Sequence, residues 1–128
     1  KIKVGKHRDD DLAVVLALHA AVAGRAALRL DANQGWTVPH AIAVMRALEA
    51  SGVEIELLEQ PVPADDLDGM AQIRAAIRTP LLADECVFGA RDAERALAAG
   101  AADLINIKLM KSGGLAGASR VAAVARAG

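Results

Sequence analysis

Aromatic residues, cysteine and excess charge are all scarce in this sequence. Aromatic side chains make up 2% of the 128 residues and are limited to Trp36 and Phe88, so a platform for stacking nucleic-acid bases is not expected. Lys and Arg number 15 against 16 Asp and Glu, and the net charge of −1 gives no reason to expect nucleic acid or an anionic membrane as a partner. The single cysteine, Cys86, cannot form an internal disulfide, which fits a reducing cytoplasm.

Long apolar runs and targeting signals are missing as well. No uncharged apolar run reaches the roughly 18 residues of a membrane-spanning helix, so no membrane partner is expected. No signal peptide is visible, and the chain opens Lys1-Ile2-Lys3-Val4 without a methionine, so it need not begin where its gene does. At 128 residues the chain is long enough for one domain with a core and too short for two.

Short β-rich runs alternate with longer helical runs along the whole chain. The predicted strands are Lys1–Val4, Ala27–Asp31, Ile55–Gln60, Pro80–Glu85 and Leu104–Met110. The predicted helices are Asp9–Ala23, Thr37–Ser51, Asp65–Arg78, Ala90–Ala99 and a last one from about Leu115 to the end. This alternation predicts parallel strands joined by crossover helices.

The residues at the helix boundaries support this division. Aspartates begin two of the helical runs, at Asp9-Asp10-Asp11 and Asp65-Asp66, where the helix dipole favours negative charge. Glycines follow three of the runs, as helix C-terminal caps do: Gly24, Gly52 and Gly100.

Five βα units can form either an open doubly wound sheet or part of a closed (β/α) barrel. An open sheet of that kind usually has a glycine-rich first turn that binds a nucleotide, and no G-x-G-x-x-G sequence follows a predicted strand here. A barrel instead places its functional residues at the carboxyl ends of several strands. The distribution of charged residues distinguishes the two.

Charged residues stand at or near every predicted strand end, where a buried parallel strand would not tolerate them without a purpose. They recur at intervals of 24 to 28 residues, one position per βα unit, in the order Lys3 (with Lys1), Asp31, Glu59, Asp84 and Lys108. Any one of them could be a solvated loop residue, but five in register are poorly explained that way. The predicted fold class is therefore α/β, a partial TIM-type (β/α) barrel of about five units. Three carboxylates without an accompanying His or Cys favour a hard cation, Mg²⁺ before Mn²⁺ and far before Zn²⁺.

The lysines supply candidate acids and bases. Lys1 and Lys3 are two residues apart on a strand, so both point to one face, roughly 6–7 Å apart along the chain. Two ammonium groups this close disfavour each other's charge, and we expect this to lower a lysine pKa toward the range of a base. Lys108 belongs to the last predicted strand, which in a closed barrel would face the first across the mouth. Two lysines on opposite faces of a metal-bound carboxylate could remove a proton on one face and return it on the other, while the metal stabilises the enediolate.

Five motifs together resemble one family. They are Lys1-Ile2-Lys3, Asp31-Ala32-Asn33-Gln34-Gly35-Trp36, Glu59-Gln60-Pro61, Ala83-Asp84-Glu85 and Asn106-Ile107-Lys108-Leu109-Met110-Lys111-Ser112-Gly113-Gly114. Each motif is weak alone, but the ordered set spans essentially the whole chain. It resembles the muconate-lactonizing-enzyme subgroup of the enolase superfamily (the mandelate racemase/muconate lactonizing enzyme family). Within it the sequence looks most like the dipeptide epimerases of the L-Ala-D/L-Glu type.

The resemblance implies a modified (β/α) barrel with a separate capping domain, and proton transfer through an enediolate at the α-carbon of a dipeptide or N-acyl amino acid. By that similarity the Mg²⁺ ligands would be three carboxylates: Asp31, Glu59 and Asp84. Lys3 and Lys108 would be the acid/base catalysts, with Lys1 as electrostatic support for Lys3. Asn33 and Glu85 would orient the ligands and the lysines, unless they are solvated loop residues.

Members of this family run to several hundred residues, with a capping domain before this stretch and further strands after it. Here the first strand begins at Lys1 and the last helix stops at Gly128. We therefore expect residues 1–128 to be units two to six of the C-terminal catalytic barrel domain, a fragment that lacks the capping domain and the last strands. The full-length parent would be a cytoplasmic, homo-oligomeric isomerase acting on a small-molecule carboxylate, and the fragment alone would be poorly active.

Two alternatives stay open. Cycloisomerisation or syn-elimination, as in muconate cycloisomerase or o-succinylbenzoate synthase, needs only one base, so the second lysine would act electrostatically. A catalytically incompetent barrel fragment would retain the motifs without a working pocket, and its unpaired strand edges would be prone to association.

Several other polar residues receive structural interpretations. The histidines His7, His19 and His40 stand at no strand end and at no metal-ligand spacing from one another. Cys86 is expected to be a small buried filler. Lys111 lies past the predicted strand end and is expected to be structural or solvent-facing.

Overall fold

Five strands alternate with helices in the computed structural model, which describes residues 1–6 and 10–128. In chain order the elements are β1 (Ile2–Lys3), α1 (Asp11–Val22), β2 (Leu28–Asp31), α2 (Val38–Ala50), β3 (Ile55–Glu59), α3 (Leu67–Ala76), β4 (Leu81–Ala83), α4 (Ala90–Ala98), β5 (Leu104–Ile105), α5 (Leu109–Ser112) and α6 (Leu115–Ala127). No helix within these two ranges is long and apolar enough to cross a membrane. The predicted alternation is confirmed; His7 and the predicted helix start at Asp9 lie outside the described residues.

All five strands form one parallel sheet in sequence order, β1-β2-β3-β4-β5. Consecutive strands are neighbours throughout, as in the wall of a (β/α) barrel, whereas a doubly wound sheet reverses its strand order at a switch point. Because a TIM-type barrel needs eight strands to close, this sheet is an arc of such a barrel. The predicted fold class is thus confirmed. The register also aligns predicted site residues, since Lys3 pairs with Asp31 and Asp31 pairs with Glu59.

The last predicted strand, Leu104–Met110, is wrong beyond its second residue. β5 ends at Ile105 because its neighbour β4 is only 3 residues long, and the ladder stops where Asn106 N–H donates to the Ala83 carbonyl at 2.8 Å. The chain then turns into the short helix α5, which Gly113 ends in a left-handed conformation. Lys108 therefore lies in the turn after the strand and directly before a helix.

The predicted helix boundary residues have the expected geometry. Asp66 precedes α3, and its side chain accepts a hydrogen bond from the Gly69 N–H at 2.8 Å. The three glycines that follow helices have φ angles of 74°, 72° and 64°, which a side chain would disfavour: Gly24, Gly52 and Gly100. Three of the four crossover helices in the described residues are therefore followed by a glycine that the sequence itself marks, and the fourth, α3, is marked at its start by Asp66.

The core lies between the sheet and its helices. Central strand residues such as Leu30, Leu58 and Leu81 are fully buried, as are Met45 of α2 and Ile73 of α3. The strands therefore rest on tightly packed side chains right up to the residues that precede the charged strand ends. This packing gives the polar side chains at the carboxyl ends of the strands a rigid base.

Candidate active site at the carboxyl ends of the strands

Three buried carboxylates meet at one end of the sheet. Asp31 ends β2, Glu59 ends β3 and Asp84 directly follows β4. Their exposed fractions are only 1%, 3% and 1%. The ammonium group of Lys1 joins two of them, at 2.7 Å from Asp31 Oδ2 and 2.6 Å from Glu59 Oε2. Asp84 follows β4, the strand that pairs with β3, so the three carboxylates stand at the ends of three consecutive strands and form one acidic cluster.

Lys3 and Lys108 approach this cluster from opposite ends. Lys3 Nζ lies 2.5 Å from Asp31 Oδ2, at the β2 end. Lys108 Nζ contacts Asp84 Oδ2, at the β4 end. Because both Lys1 and Lys3 contact Asp31, these two side chains do share a face, as their spacing predicts. The side chains of Lys1, Lys3 and Lys108 keep 41%, 61% and 43% of their surface exposed, so solvent reaches them.

The charges of the cluster are mutually stabilised. Burial alone would raise the pKa of Asp84, but hydrogen bonds from the ammonium groups of Lys108 and Lys111 lower it to about 2. Burial also opposes ionisation of Asp31, yet its contacts with Lys1, Lys3 and the Asn33 N–H hold the pKa of that carboxyl below its usual value. Asp31 and Asp84 are therefore ionised at neutral pH.

The predicted lowering of a lysine pKa is wrong for Lys1. Burial tends to lower the pKa of Lys1, but the contacts with Asp31 and Glu59 outweigh it and raise the pKa. The hydrogen bond to Asp84 is likewise the main cause of a raised pKa at Lys108. The surrounding carboxylates attract the Lys1 ammonium group more strongly than the neighbouring ammonium group repels it, so the net effect is a raised pKa.

Asn33 and Glu85 connect Lys3 to the far side of the site. Lys3 Nζ donates to Asn33 Oδ1 at 2.6 Å, and Asn33 Nδ2 donates to Glu85 Oε1 at 3.1 Å. Glu85 Oε2 is buried and has no hydrogen-bond partner within residues 1–6 and 10–128. Asn33 thus fixes the position of the Lys3 ammonium group relative to Glu85.

Two further residues contact the carboxylates and a third contacts the backbone of Asp84, and the sequence alone predicts none of these contacts. Asn106 Nδ2 donates to Glu59 Oε1 at 3.1 Å, and Lys111 Nζ lies 2.6 Å from Asp84 Oδ1. Gln60, fully buried, accepts from the main-chain N–H of Asp84 at 3.0 Å. The Lys111 side chain is only 12% exposed and contacts Asp84, so of the two predicted roles, structural or solvent-facing, the structural one agrees with its surroundings. Two features of the sequence could have indicated these contacts: Asn106 stands two residues before Lys108, and Gln60 directly follows the strand-end Glu59.

The backbone around the cluster adopts conformations that side chains disfavour. Asn33, Gln34 and Gln60 have φ angles of 44°, 65° and 36°. The Gln34 N–H donates to the Gln60 carbonyl at 2.8 Å, which ties the two strand ends together. Such strain typically accumulates at functional sites, where the surrounding structure holds it in place.

The donor set of the cluster suits a hard divalent cation. It consists of carboxylate oxygens only. Lysine ammonium groups already contact these oxygens, and the Lys1 ammonium group contacts both Asp31 and Glu59, so it stands in for a cation there. In the parts of the chain described by the structure, no three His, Cys, Asp or Glu side chains are arranged as a ready ligand set. The residues therefore fit Mg²⁺ in chemistry and charge, and binding would require the lysines to give up these oxygens.

The remaining candidates lie away from the cluster. A cavity of about 850 Å³ opens at the other end of the strands, beside Leu28, Ile55 and Pro80, and His19 lines it. Cys86 is half-buried against the core, and burial raises the pKa of its thiol. His40 packs edge-on against Trp36. The structural interpretations of these side chains agree with their surroundings.

Comparison with known proteins places this arrangement in one family. The L-Ala-D/L-Glu epimerase of Bacillus subtilis is 48% identical over 130 residues, which cover 99% of this chain and 35% of the relative. The muconate cycloisomerase 1-2 of Acinetobacter lwoffii is 40% identical, with 99% of this chain and 33% of the relative covered. A crystal structure of the dipeptide epimerase from Enterococcus faecalis V583, complexed with Mg and the dipeptide L-Leu-L-Tyr, superposes with a TM-score of 0.92 at 40% identity, covering 98% of this chain and 35% of that one.

The present chain spans about a third of the length of these relatives. The family model described as Enolase C-terminal domain-like matches residues 1–128. The chain belongs to the enolase C-terminal domain-like family, as its strand-end motifs predict.

Proposed function

We propose that the protein containing this chain is a Mg²⁺-dependent epimerase that inverts the α-carbon of a dipeptide or N-acyl amino acid. The carrying observation is the placement of two exposed lysines, Lys3 and Lys108, at opposite ends of one buried carboxylate cluster. A racemase or epimerase needs such a pair, because the proton must leave one face of the α-carbon and arrive on the other. The L-Ala-D/L-Glu epimerase of Bacillus subtilis, at 48% identity, supports a dipeptide substrate.

Each residue of the site has one role in this proposal. Mg²⁺ would be held by three carboxylates: Asp31, Glu59 and Asp84. Bound there, it would supply positive charge for the carboxylate of the substrate and replace the lysines as counter-charge. One of Lys3 and Lys108, as the free amine, takes the α-proton while the C–H electron pair passes toward the substrate carboxylate; the other, as the ammonium ion, returns a proton to the opposite face. Lys1 supports the charge near Lys3, and Asn33 with Glu85 orients Lys3.

We also propose that residues 1–128 are part of a longer barrel chain. Five parallel strands cannot close a TIM-type barrel, and the relatives are about three times longer. In that protein these strands would be units two to six, and a cap and further strands would exclude water from the site, which strengthens every electrostatic contact there. On the same grounds the 128-residue chain alone would be poorly active.

A one-base reaction is the second candidate function. The muconate cycloisomerase of Acinetobacter lwoffii, at 40% identity over nearly the whole chain, supports it. A cycloisomerase or an o-succinylbenzoate synthase-type lyase would use one lysine for proton transfer, and the other would only stabilise charge. The two candidates therefore differ in whether both lysines exchange protons with the substrate.

Proton exchange in D₂O distinguishes the candidates. We would incubate the full-length protein with Mg²⁺ and, separately, L-Ala-L-Glu and L-Ala-D-Glu, and follow α-hydrogen exchange and epimer formation by NMR. An epimerase of this type converts either epimer into the other with deuterium incorporation, and EDTA abolishes the reaction. Absence of exchange with both dipeptides and with an N-acyl amino acid, together with conversion of muconate, would replace the epimerase proposal by the cycloisomerase one.

A further inference from the structure

The three carboxylates use their two oxygens in different ways. Asp31 Oδ1 accepts the Asn33 N–H at 2.9 Å, while Asp31 Oδ2 contacts the exposed side chains of Lys1 and Lys3. Glu59 Oε1 accepts from Asn106 at 3.1 Å, while Glu59 Oε2 contacts Lys1. In both cases one oxygen accepts from a neutral N–H donor, and the other contacts an exposed ammonium group.

Asp84 also has a different donor on each carboxylate oxygen, but both of its donors are lysines. Its Oδ1 contacts Lys111 Nζ at 2.6 Å, and its Oδ2 contacts Lys108. The Lys111 side chain is 12% exposed, whereas the Lys108 side chain is 43% exposed. The two lysines are three residues apart along one short helical turn, yet their environments differ sharply.

Further contacts hold Lys111 in place. Its Nζ also donates to the main-chain carbonyl oxygen of Asp84. The same ammonium group lies 5.1 Å from the centre of the Phe88 ring, where the ring face attracts a cation. On the other side of the residue, Gln60 accepts the Asp84 N–H. The backbone of Asp84 is thus fixed at both its N–H and its carbonyl, and one carboxylate oxygen is fixed with it.

We propose that Lys111 is a positioning residue that locks Asp84 Oδ1 and the Asp84 backbone, so that Oδ2 alone is presented to the metal ion, and that Lys111 takes no part in proton transfer. The inference rests on the proposed function in one respect, the binding of Mg²⁺ by Asp84. An ammonium donor suits this place better than a neutral one, because Asp84 is a buried carboxylate that needs a strong hydrogen-bond partner. Lys111 therefore holds Asp84 in place, whereas Lys108 is the one of the two lysines that transfers a proton in the proposed function.

The contact by which Lys111 holds Asp84 (the lock) is tested first without metal. In the metal-free protein, a ¹H–¹⁵N correlation of the lysine ammonium groups should show Lys111 at neutral pH, because its protons are shielded from exchange. The signal should vanish in Lys111→Met and in Asp84→Asn, and the more exposed Lys108 should give none. If Lys111 exchanges as fast as Lys108 in the folded protein, the lock does not exist and the proposal is overturned.

The consequence for metal binding is tested by calorimetric titration with Mg²⁺. Lys111→Met keeps the length and apolar body of the side chain, and it should weaken Mg²⁺ binding by roughly 10–100-fold, as the loss of ligand-orienting contacts does elsewhere. Lys108→Met should leave the affinity unchanged or raise it, because an ammonium group that competes for Oδ2 is removed. Asp11→Asn, a destabilising change at a contact that does not involve the carboxylate cluster, should leave the affinity unchanged, which separates positioning from general loss of structure.

The outcomes separate the two proposals. Equal Mg²⁺ affinity in Lys111→Met and the unsubstituted protein overturns positioning by Lys111, while the metal site stands. Equal weakening in Lys111→Met and Asp11→Asn overturns it as well, because the effect would then be structural. If the unsubstituted protein does not bind Mg²⁺, the proposed metal site fails, and with it the presentation of Oδ2 to a metal; the ammonium spectrum still decides whether Lys111 is locked.

Discussion

The side-chain oxygen of Gln60 accepts a hydrogen bond from the main-chain N–H of Asp84 at 3.0 Å, across the ends of β3 and β4. The same oxygen also accepts the Cys86 N–H at 3.3 Å, and Gln60 Nε2 donates to the Val62 carbonyl at 3.0 Å. Gln60 is fully buried, so these backbone groups have no access to water as an alternative. One side chain thus sets the distance between the glutamate and the aspartate of the acidic cluster.

Replacing the Gln60 side chain should lower the free energy of unfolding. Gln60→Met preserves the approximate volume and leaves buried backbone groups of Asp84, Cys86 and Val62 without a partner. Each unsatisfied group costs about 1–3 kcal/mol, and we expect a total loss of roughly 2–4 kcal/mol in the free energy of unfolding, measured by urea denaturation.

Gln34 provides the matched control for that substitution. It also has a positive φ and also accepts a backbone hydrogen bond, from the Ala64 N–H at 2.9 Å, but it is exposed. Gln34→Met should cost about 1 kcal/mol or less, because water can replace the side chain. Similar losses for the two variants would mean that Gln60 acts through its backbone conformation and that its buried hydrogen bonds add little.

Asp11 and Trp36 form a second buried contact near the start of the chain. Asp11 Oδ2 accepts from Trp36 Nε1 at 2.7 Å and from the Gly5 N–H at 2.7 Å, which ties α1 to the segments that follow β1 and β2. Asp11→Asn removes the charge that strengthens both bonds and should cost about 1–3 kcal/mol. Trp36 is the single tryptophan, so the change in its environment is readable as a shift in fluorescence emission.

The adjacent aspartate is the control for this prediction. Asp10 precedes α1 directly, is exposed and makes no side-chain capping hydrogen bond. Asp10→Asn should therefore change the free energy of unfolding by no more than about 0.5 kcal/mol and leave the fluorescence unaltered. Equal effects of the two substitutions would show that the helix dipole, and not the contact with Trp36, accounts for the loss.

The sequence identifies the carboxylates of the site more readily than the groups that hold them. Asp31 and Glu59 are predictable because parallel strands bring their carboxyl ends to one edge, and the observed register pairs them directly. Lys108 contacts Asp84 as part of a wrongly predicted element, since β5 ends at Ile105. The roles of Lys111 and Gln60 depend on contacts across 27 and 24 residues of sequence, which no local pattern encodes.

The charge of Asp84 should be visible in the acid unfolding of the protein. Its pKa in the folded state is lowered from 3.8 to about 2, so its contribution to stability is complete above the unfolded-state value and is lost as the pH falls through the folded-state value. Asp84→Asn should therefore lower the free energy of unfolding at pH 6, and its difference from the unsubstituted protein should shrink between about pH 4 and pH 2. Urea denaturation across this range measures the difference; a constant value would contradict stabilisation of Asp84 by its two lysines.

Stereospecific roles for Lys3 and Lys108 are the sharpest consequence of their placement. Lys3 contacts Asp31 and Lys108 contacts Asp84, so each should exchange the α-proton of only one epimer. We expect Lys3→Ala and Lys108→Ala each to reduce epimerisation by roughly 10²–10⁴-fold, the usual contribution of a positioned acid or base. In D₂O, one variant should still exchange the epimer whose proton faces its surviving lysine, and the other variant the opposite epimer. Near-normal turnover of Lys108→Ala in both directions would remove Lys108 from proton transfer, because a two-base epimerase cannot return a proton to the second face without it; the one-base cycloisomerase or lyase would then be the better account of the site.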